Sequence, residues 1–358
     1  MEKWQRSMEG VGMNLNFYKN KSVFVTGHTG FKGAWLCQIL KNAGANICGY
    51  ALEPVSNGIF EHNSLACCMN SVIGDIRDTD RLTRTFIEAK PEIVFHLAAQ
   101  PLVLDAFEQP RYTFDVNAQG TVNLLECVRL ADSVKSVVII TTDKVYKNQE
   151  WEYGYRETDA LGDTEPYAAS KACAELVTAS YAETFLMNIA VSSLRAGNVI
   201  GGGDVSEHRI IPDCLRSAIL GNAIEIRNPH SVRPYQHVLE PLFSYLLIAE
   251  KQYGNNKISG SYNIGPNESD CVTAAEIAKI FCSEWTGAKW HEKPVANAPQ
   301  ESGTLRLDCS KARSAFGWKP IWDIRTAIRK TIEWEKAKNK TEMTNRQIGE
   351  YYEQAKYS

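Results

Sequence analysis

Three short stretches carry residues whose types and spacing can do chemistry. Thr141-Thr142-Asp143-Lys144 sets a hydroxyl, a carboxyl and an amine on consecutive residues at the end of an apolar run. In Tyr167-Ala168-Ala169-Ser170-Lys171, Tyr167 and Lys171 stand one helical turn apart. On a helix they share a face, and the lysine ammonium can lower the tyrosine pKa toward working pH. Such a tyrosine is a base for an alcohol, and the Thr142 hydroxyl can hydrogen-bond the same oxygen. Near the start lies Thr26-Gly27-His28-Thr29-Gly30-Phe31-Lys32-Gly33. Between a strand and a helix, Gly27 permits the tight turn, Gly30 lets backbone approach a pyrophosphate and Gly33 lets the helix pack on the sheet. Thr29 and Phe31 belong to the same turn, and the helix N-terminus behind them faces the phosphates. A dinucleotide beside a proton-moving tyrosine amounts to redox chemistry at a hydroxyl-bearing carbon. An Asp-Lys pair is surplus to redox alone.

Other cofactor contacts follow the strands. An acid is expected after the second strand to hold the adenosine ribose, but Gly49-Tyr50-Ala51-Leu52 supplies none and Glu53 comes late. The residues alone therefore leave NAD and NADP open. Asp75-Ile76 after the third strand suits the adenine ring, and Leu97-Ala98-Ala99-Gln100 after the fourth has the small residues that close passage of backbone requires. Lys32 reads as a solvated first-turn lysine rather than a partner for a 2′-phosphate.

The elements that must position these groups alternate from Lys21 to about Ile200. Strands are expected at Ser22–Thr26, Asn46–Ala51, Ser71–Gly74, Ile93–Leu97, Val137–Thr141 and Asn188–Arg195, and helices at Phe31–Ala43, Asp80–Ala89, Arg111–Leu130 and Pro166–Phe185. This is the pattern of an α/β protein with a Rossmann-type doubly wound parallel sheet. Residues 1–20 read as an N-terminal extension, 21–200 as the dinucleotide-binding domain, 201–338 as a smaller mixed α/β C-terminal substrate lobe over the sheet's C-terminal edge, and 339–358 as a charged tail, frayed or partner-dependent. Met1, Met8 and Met13 are alternative starts.

A net charge of −3 with interleaved signs argues against nucleic acid or an anionic membrane as partner. The ten cysteines show no CxxC pair and no metal-ligand spacing, so they read as reduced and mostly buried, with no metal site, in a cytoplasmic protein. Neither a secretory leader nor an apolar run of about 18 residues is found.

Taken together, the glycine turn, Thr142 and Tyr167/Lys171 resemble the extended short-chain dehydrogenase/reductase superfamily over nearly the whole chain. Thr142-Asp143-Lys144, Arg195 to Asp204 (RAGNVIGGGD), Ile226 to His230 (IRNPH), Arg233 to Pro241 (RPYQHVLEP) and Leu307 to Lys311 (LDCSK) are similar to the CDP-glucose 4,6-dehydratases. The resemblance implies tightly bound NAD, a nucleotide-diphosphate hexose as substrate, a place in deoxysugar and surface-polysaccharide synthesis, and a homodimer through a four-helix interface. It also implies Tyr167 as base at the C4 hydroxyl, Thr142 as its hydrogen-bond partner, Asp143 as acid at C6 and Lys144 as base at C5, with Lys171 beside Tyr167.

A diphosphate needs a local basic cluster. His208, Arg209, Arg216, Arg227, His230, Arg233 and His237 provide one, from which Arg209, Arg227 and Arg233, with Arg195 and Asn198, are the expected substrate contacts. Arg216 fits a cationic helix face, and His230 and His237 structural roles. Two departures bear on base and sugar: Leu104-Asp105-Ala106-Phe107 lacks the family's basic residue, and Val205 stands where tryptophan is common. A 4,6-dehydratase of another nucleotide-hexose and a 4-epimerase share the cofactor and the Tyr/Lys pair, but an epimerase needs no Asp143-Lys144. A catalytically silent NAD-binding regulator would have lost Tyr167, Lys171 or Thr142.

Overall fold

Short β-branched runs separated by helices can bury both faces only in a parallel sheet covered on each side, and this is what the chain builds. The computed structural model describes residues 12–293 and 303–356. Met1 and Met8, and most of the expected N-terminal extension, lie outside them. Seven parallel strands run in the order Ser261–Ile264, Ala190–Ala196, Ser136–Ile140, Ile93–His96, Ser22–Thr26, Asn46–Ala51 and Asn70–Ile73. Register is in step across the centre: Val25 pairs with Gly49 on one side and Phe95 on the other. Side chains alternate between two cores. Val23, Val25, Phe95, Val138 and Ile140 pack with Trp35, Ile39, Leu242 and Leu246, while Phe24, Val94, Val137 and Ile139 pack with Leu82, Phe86, Leu124 and Val128.

Three expectations change. The first concerns the boundary at 200: the chain re-enters the dinucleotide layer, where helix Leu239–Tyr253 is buried along most of its length and Ser261–Ile264 adds a seventh strand beside Ala190–Ala196. What covers the sheet's edge is Ile210–Ile219, Ala274–Glu284 and Ile324–Lys336 with three two-stranded pairs, around a third core that includes Ile211, Ile277, Phe281 and Ile328. Second, within the expected tail residues 339–356 are no loose end. Lys340–Ala355 is a helix capped by Asn339, and its Tyr351 and Ile348 are buried in the main core. Glu240, itself buried, accepts hydrogen bonds from Tyr351 Oη at 2.6 Å and from the Ile321 and Trp322 amides, so a single carboxyl anchors the C-terminal segment. Third, the helix expected over Arg111–Leu130 runs without a break from Pro110 to Arg129 but widens into a π-helical turn at Asp115–Gln119.

Candidate active site

The glycine turn is built by close approach of backbone. Gly27 has φ +73°, and a Cβ there would lie 2.7 Å from the Ala98 amide nitrogen; a Cβ on Gly33 would fall 2.0 Å from the Gly27 carbonyl oxygen. Thr26 Oγ1 accepts from the Leu97 and Ala98 amides at 3.2 and 3.1 Å, locking the first and fourth strand ends together. Gly30 differs. A Cβ there would have nothing nearer than the Gly27 oxygen at 3.4 Å, so the protein's own packing does not demand glycine and open space lies over it. Helix Phe31–Asn42 begins at Gly30 with no side-chain cap, leaving its first amides available to an anion. An uncapped helix end beneath a cradle that a Cβ would narrow fits a dinucleotide pyrophosphate.

Around that groove, Thr29 Oγ1 donates to Leu52 O at 2.8 Å, and Asp75 is held by Arg77 at 2.6 Å, which keeps its carboxyl below the usual range. Ile76 is buried against Gly120. Gln100 is spent within its own loop, its amide reaching Leu102 O and Thr113 Oγ1 at 3.0 Å each, so of the Leu97–Gln100 run it is the backbone beside Ala98 that the turn approaches. Asn117 went unnoticed in the sequence. It accepts from the Gln100 amide and donates to Ser170 Oγ, both at 2.9 Å, and so pins this loop to the catalytic helix Pro166–Thr184.

A cavity of about 580 Å³ opens beside the turn, within the range of small-molecule sites. Thr142, Asp143, Lys144 and Tyr167 all line it, as do Phe31, Asn198, Arg209, Arg227 and Arg233. Thr142 lies two residues past the end of strand Ser136–Ile140 and caps a single 3₁₀ turn, which turns Asp143 and Lys144 inward. Asp143 is buried; its Oδ1 accepts from Thr142 Oγ1 at 2.9 Å and its Oδ2 has no partner. Burial raises the Asp143 pKa, the condition for a carboxyl that must arrive protonated. Glu165, missed in the sequence, stands behind Lys144 at 3.8 Å.

The Tyr167/Lys171 pair departs from expectation in its electrostatics. Tyr167 is pushed up to about 12 by burial, only partly offset by a hydrogen bond with Thr142 and by the Arg209 charge. Lys171 is itself lowered to about 7 by burial and by the nearby Lys32 charge, and its Nζ donates to Ile140 O at 3.1 Å. In a dry pocket desolvation outweighs the attraction that spacing suggested.

Two cations are placed differently from expectation. Lys32 is no solvated lysine. It lines the cavity, held at about 8 by burial and by Arg209 against the opposing pull of Asp143 and Asp204. Arg195 does not line the cavity; it is buried against Glu175 at 2.9 Å and donates to Tyr146 Oη at 2.8 Å, so its charge is spent inside the fold. Of the remaining arginines, Arg209 faces Asp204 at 3.4 Å, Arg227 faces Asp213 at 3.7 Å, and buried Arg233 donates to Val232 O at 2.9 Å. His237 is buried between Trp35 and Trp322, a structural position. Among the described residues no cluster of metal-binding side chains occurs, and no helix is long and apolar enough to cross a membrane.

Comparison with known proteins agrees with this architecture. The family described as GDP-mannose 4,6 dehydratase matches residues 24–331. A CDP-glucose 4,6-dehydratase of Salmonella typhimurium is 45% identical over 335 residues, covering 91% of this chain and 93% of the relative. Among solved structures, dTDP-glucose 4,6-dehydratase from Bacillus anthracis in complex with NAD superposes with a TM-score of 0.75 at 21% identity, covering 90% of this chain and 99% of that one. MoeE5 in complex with UDP-glucuronic acid and NAD gives 0.74 at 23%, covering 91% and 99%. At such identities the two structures speak for the fold alone.

Proposed function

The chain belongs to the family described as GDP-mannose 4,6 dehydratase, and on that premise we propose that it is a nucleotide-sugar 4,6-dehydratase converting CDP-D-glucose to CDP-4-dehydro-6-deoxy-D-glucose and water. The observation that carries this is the convergence of Asp143 and Lys144 with Thr142 and Tyr167 on one cavity. A 4-epimerase uses the tyrosine but has no work for an acid and a second base.

Gly27, Gly30, Gly33 and the uncapped helix end would hold NAD, with Thr29, Phe31, Asp75, Ile76, Leu97, Ala98 and Ala99 around them. Lys32, the residue weighed in the sequence for a 2′-phosphate, lines the catalytic cavity, which favours NAD over NADP. Bound NAD supplies a hydride acceptor for C4 and a donor for C6, ending each turnover as it began. Tyr167 takes the C4 hydroxyl proton, with Thr142 orienting the same oxygen. The resulting C4 carbonyl acidifies the C5 proton, which Lys144 removes. Asp143, whose carboxyl burial shifts toward the protonated form, gives its proton to the C6 hydroxyl as water leaves. Arg209, Arg227, Arg233 and Asn198 hold the diphosphate end, Arg offering the bidentate geometry phosphate prefers.

The chain is assigned to the cytoplasm and to deoxysugar synthesis; its ten free cysteines, five of them buried, suit a reducing compartment. A homodimer through Pro110–Arg129 and Pro166–Thr184 is supported by apolar side chains those helices leave exposed, Leu176 at 63% and Phe114 at 36%. Incubation with NAD and CDP-glucose, in parallel with UDP-, GDP- and dTDP-hexoses, tests the assignment. A product lighter by one water, formed fastest from the CDP sugar, is expected; an isomer of unchanged mass would sink it.

A further inference from the structure

A lysine serving as base at C5 has four rotatable bonds and no fixed direction, so something must hold its amine. The only carboxylate within ion-pair distance of Lys144 among the described residues is Glu165, whose Oε2 lies 3.8 Å from Nζ. That oxygen is buried and has no hydrogen-bond partner. Its sister Oε1 accepts from the Tyr167 amide at 2.6 Å, capping helix Pro166–Thr184 at the residue before Pro166. One side chain thus touches both the amine assigned to C5 and the backbone of the tyrosine assigned to C4. Glu165 does not line the cavity, so it reaches the substrate only through Lys144.

We infer that Glu165 is the positioning residue for Lys144, one oxygen fixing the N-terminus of the catalytic helix and the other holding the lysine amine in line with C5. The inference rests on the assignment of Lys144 as C5 base. The two oxygens divide the work: one accepts from the helix amide as a cap, and the other, buried and otherwise unpartnered, is placed to accept from an N–H of the neutral lysine amine and so to fix where its lone pair points.

Glu165→Gln separates the roles, because glutamine keeps the capping acceptor and puts an NH2 group, which cannot accept from the lysine, in place of the other oxygen. A misplaced base costs about 10–100-fold. The variant is therefore expected to lose kcat by about that factor, with C5 proton removal becoming the slow step. Reduced cofactor then accumulates in the steady state, visible by its absorbance, and the isotope effect on kcat with C5-deuterated substrate rises above that of the wild type. Glu165→Asp, which retains both acceptor oxygens, recovers part of the rate and lowers the isotope effect again. A Gln variant with unchanged kcat, or one slowed with neither reduced cofactor nor a larger C5 isotope effect, overturns the inference. Lys144→Met tests the assignment beneath it: full turnover in that variant removes Lys144 as base, a result distinct from any behaviour of Glu165.

Discussion

Burial acts in opposite directions on the two members of the Tyr167/Lys171 pair, and the consequence can be measured as stability. Lys171 is lowered from 10.5 to about 7 in the fold. Between those values the unfolded chain binds a proton that the folded chain refuses, so the stability associated with this residue is lost as pH falls from 10.5 toward 7 and stays lost below. Lys171→Met should therefore raise the unfolding free energy at pH 7 by about 1–3 kcal/mol while ending turnover. The gain should fade as pH approaches 10.5, and thermal melts across that interval check it. Asp143→Asn keeps shape and removes the acid; turnover should fall by about 10²–10⁴-fold, read by steady-state kinetics on CDP-glucose. At this scale the sequence was informative where chemistry is contiguous: Thr142, Asp143 and Lys144 follow one strand end and meet Tyr167 in the cavity. It was uninformative where direction decides. Lys32 and Arg195 are both cations on regular elements, and nothing in their spacing says that one lines the cavity while the other is buried against Glu175. Glu165 was missed because its contact with Lys144 is tertiary and leaves no mark in the spacing.

Elements hold the site through contacts that leave no room for a single carbon. Gly33→Ala would drive a methyl to 2.0 Å from the Gly27 carbonyl and must displace the turn; loss of NAD binding by at least about 10-fold is expected in a titration, equivalent to ~1.4 kcal/mol. Gly202 is as tightly constrained by the C-terminal segment, since a Cβ there would meet Trp334 at 2.1 Å, and the Gly202 carbonyl accepts from Trp35 Nε1 at 2.9 Å. Trp334→Ala should cost about 3–5 kcal/mol, measurable by denaturant unfolding, and a far smaller loss would mean that the segment docks weakly. Strand bounds Ser22–Thr26 and Asn46–Ala51 were legible because apolar β-branched runs end at glycine or at a polar turn. Ser261–Ile264 was not, because a short edge strand far along the chain has no periodicity of its own and is defined by its pairing with Ala190–Ala196. The charged face of Lys340–Ala355 likewise concealed the few buried positions, Tyr351 and Ile348 among them, that dock it.

At the scale of the whole molecule, a dinucleotide layer and a covering lobe meet at the cavity that Thr142, Asp143, Lys144 and Tyr167 line, and the chain crosses between them rather than dividing at residue 200. The π-bulged helix Pro110–Arg129 and helix Pro166–Thr184 form the outer face proposed for pairing; Leu176→Arg should convert a dimer to monomer in analytical ultracentrifugation, and an unchanged mass would remove that face as the interface. The central claim is that oxidation at C4 is transient and serves the elimination of water. CDP-glucose deuterated at C4, incubated with the NAD-loaded enzyme and followed by mass spectrometry and NMR, tests this most directly. The account predicts a product lighter by one water that keeps its deuterium, now on C6; a product of unchanged mass with deuterium still at C4, or one whose deuterium has passed to solvent, would contradict it.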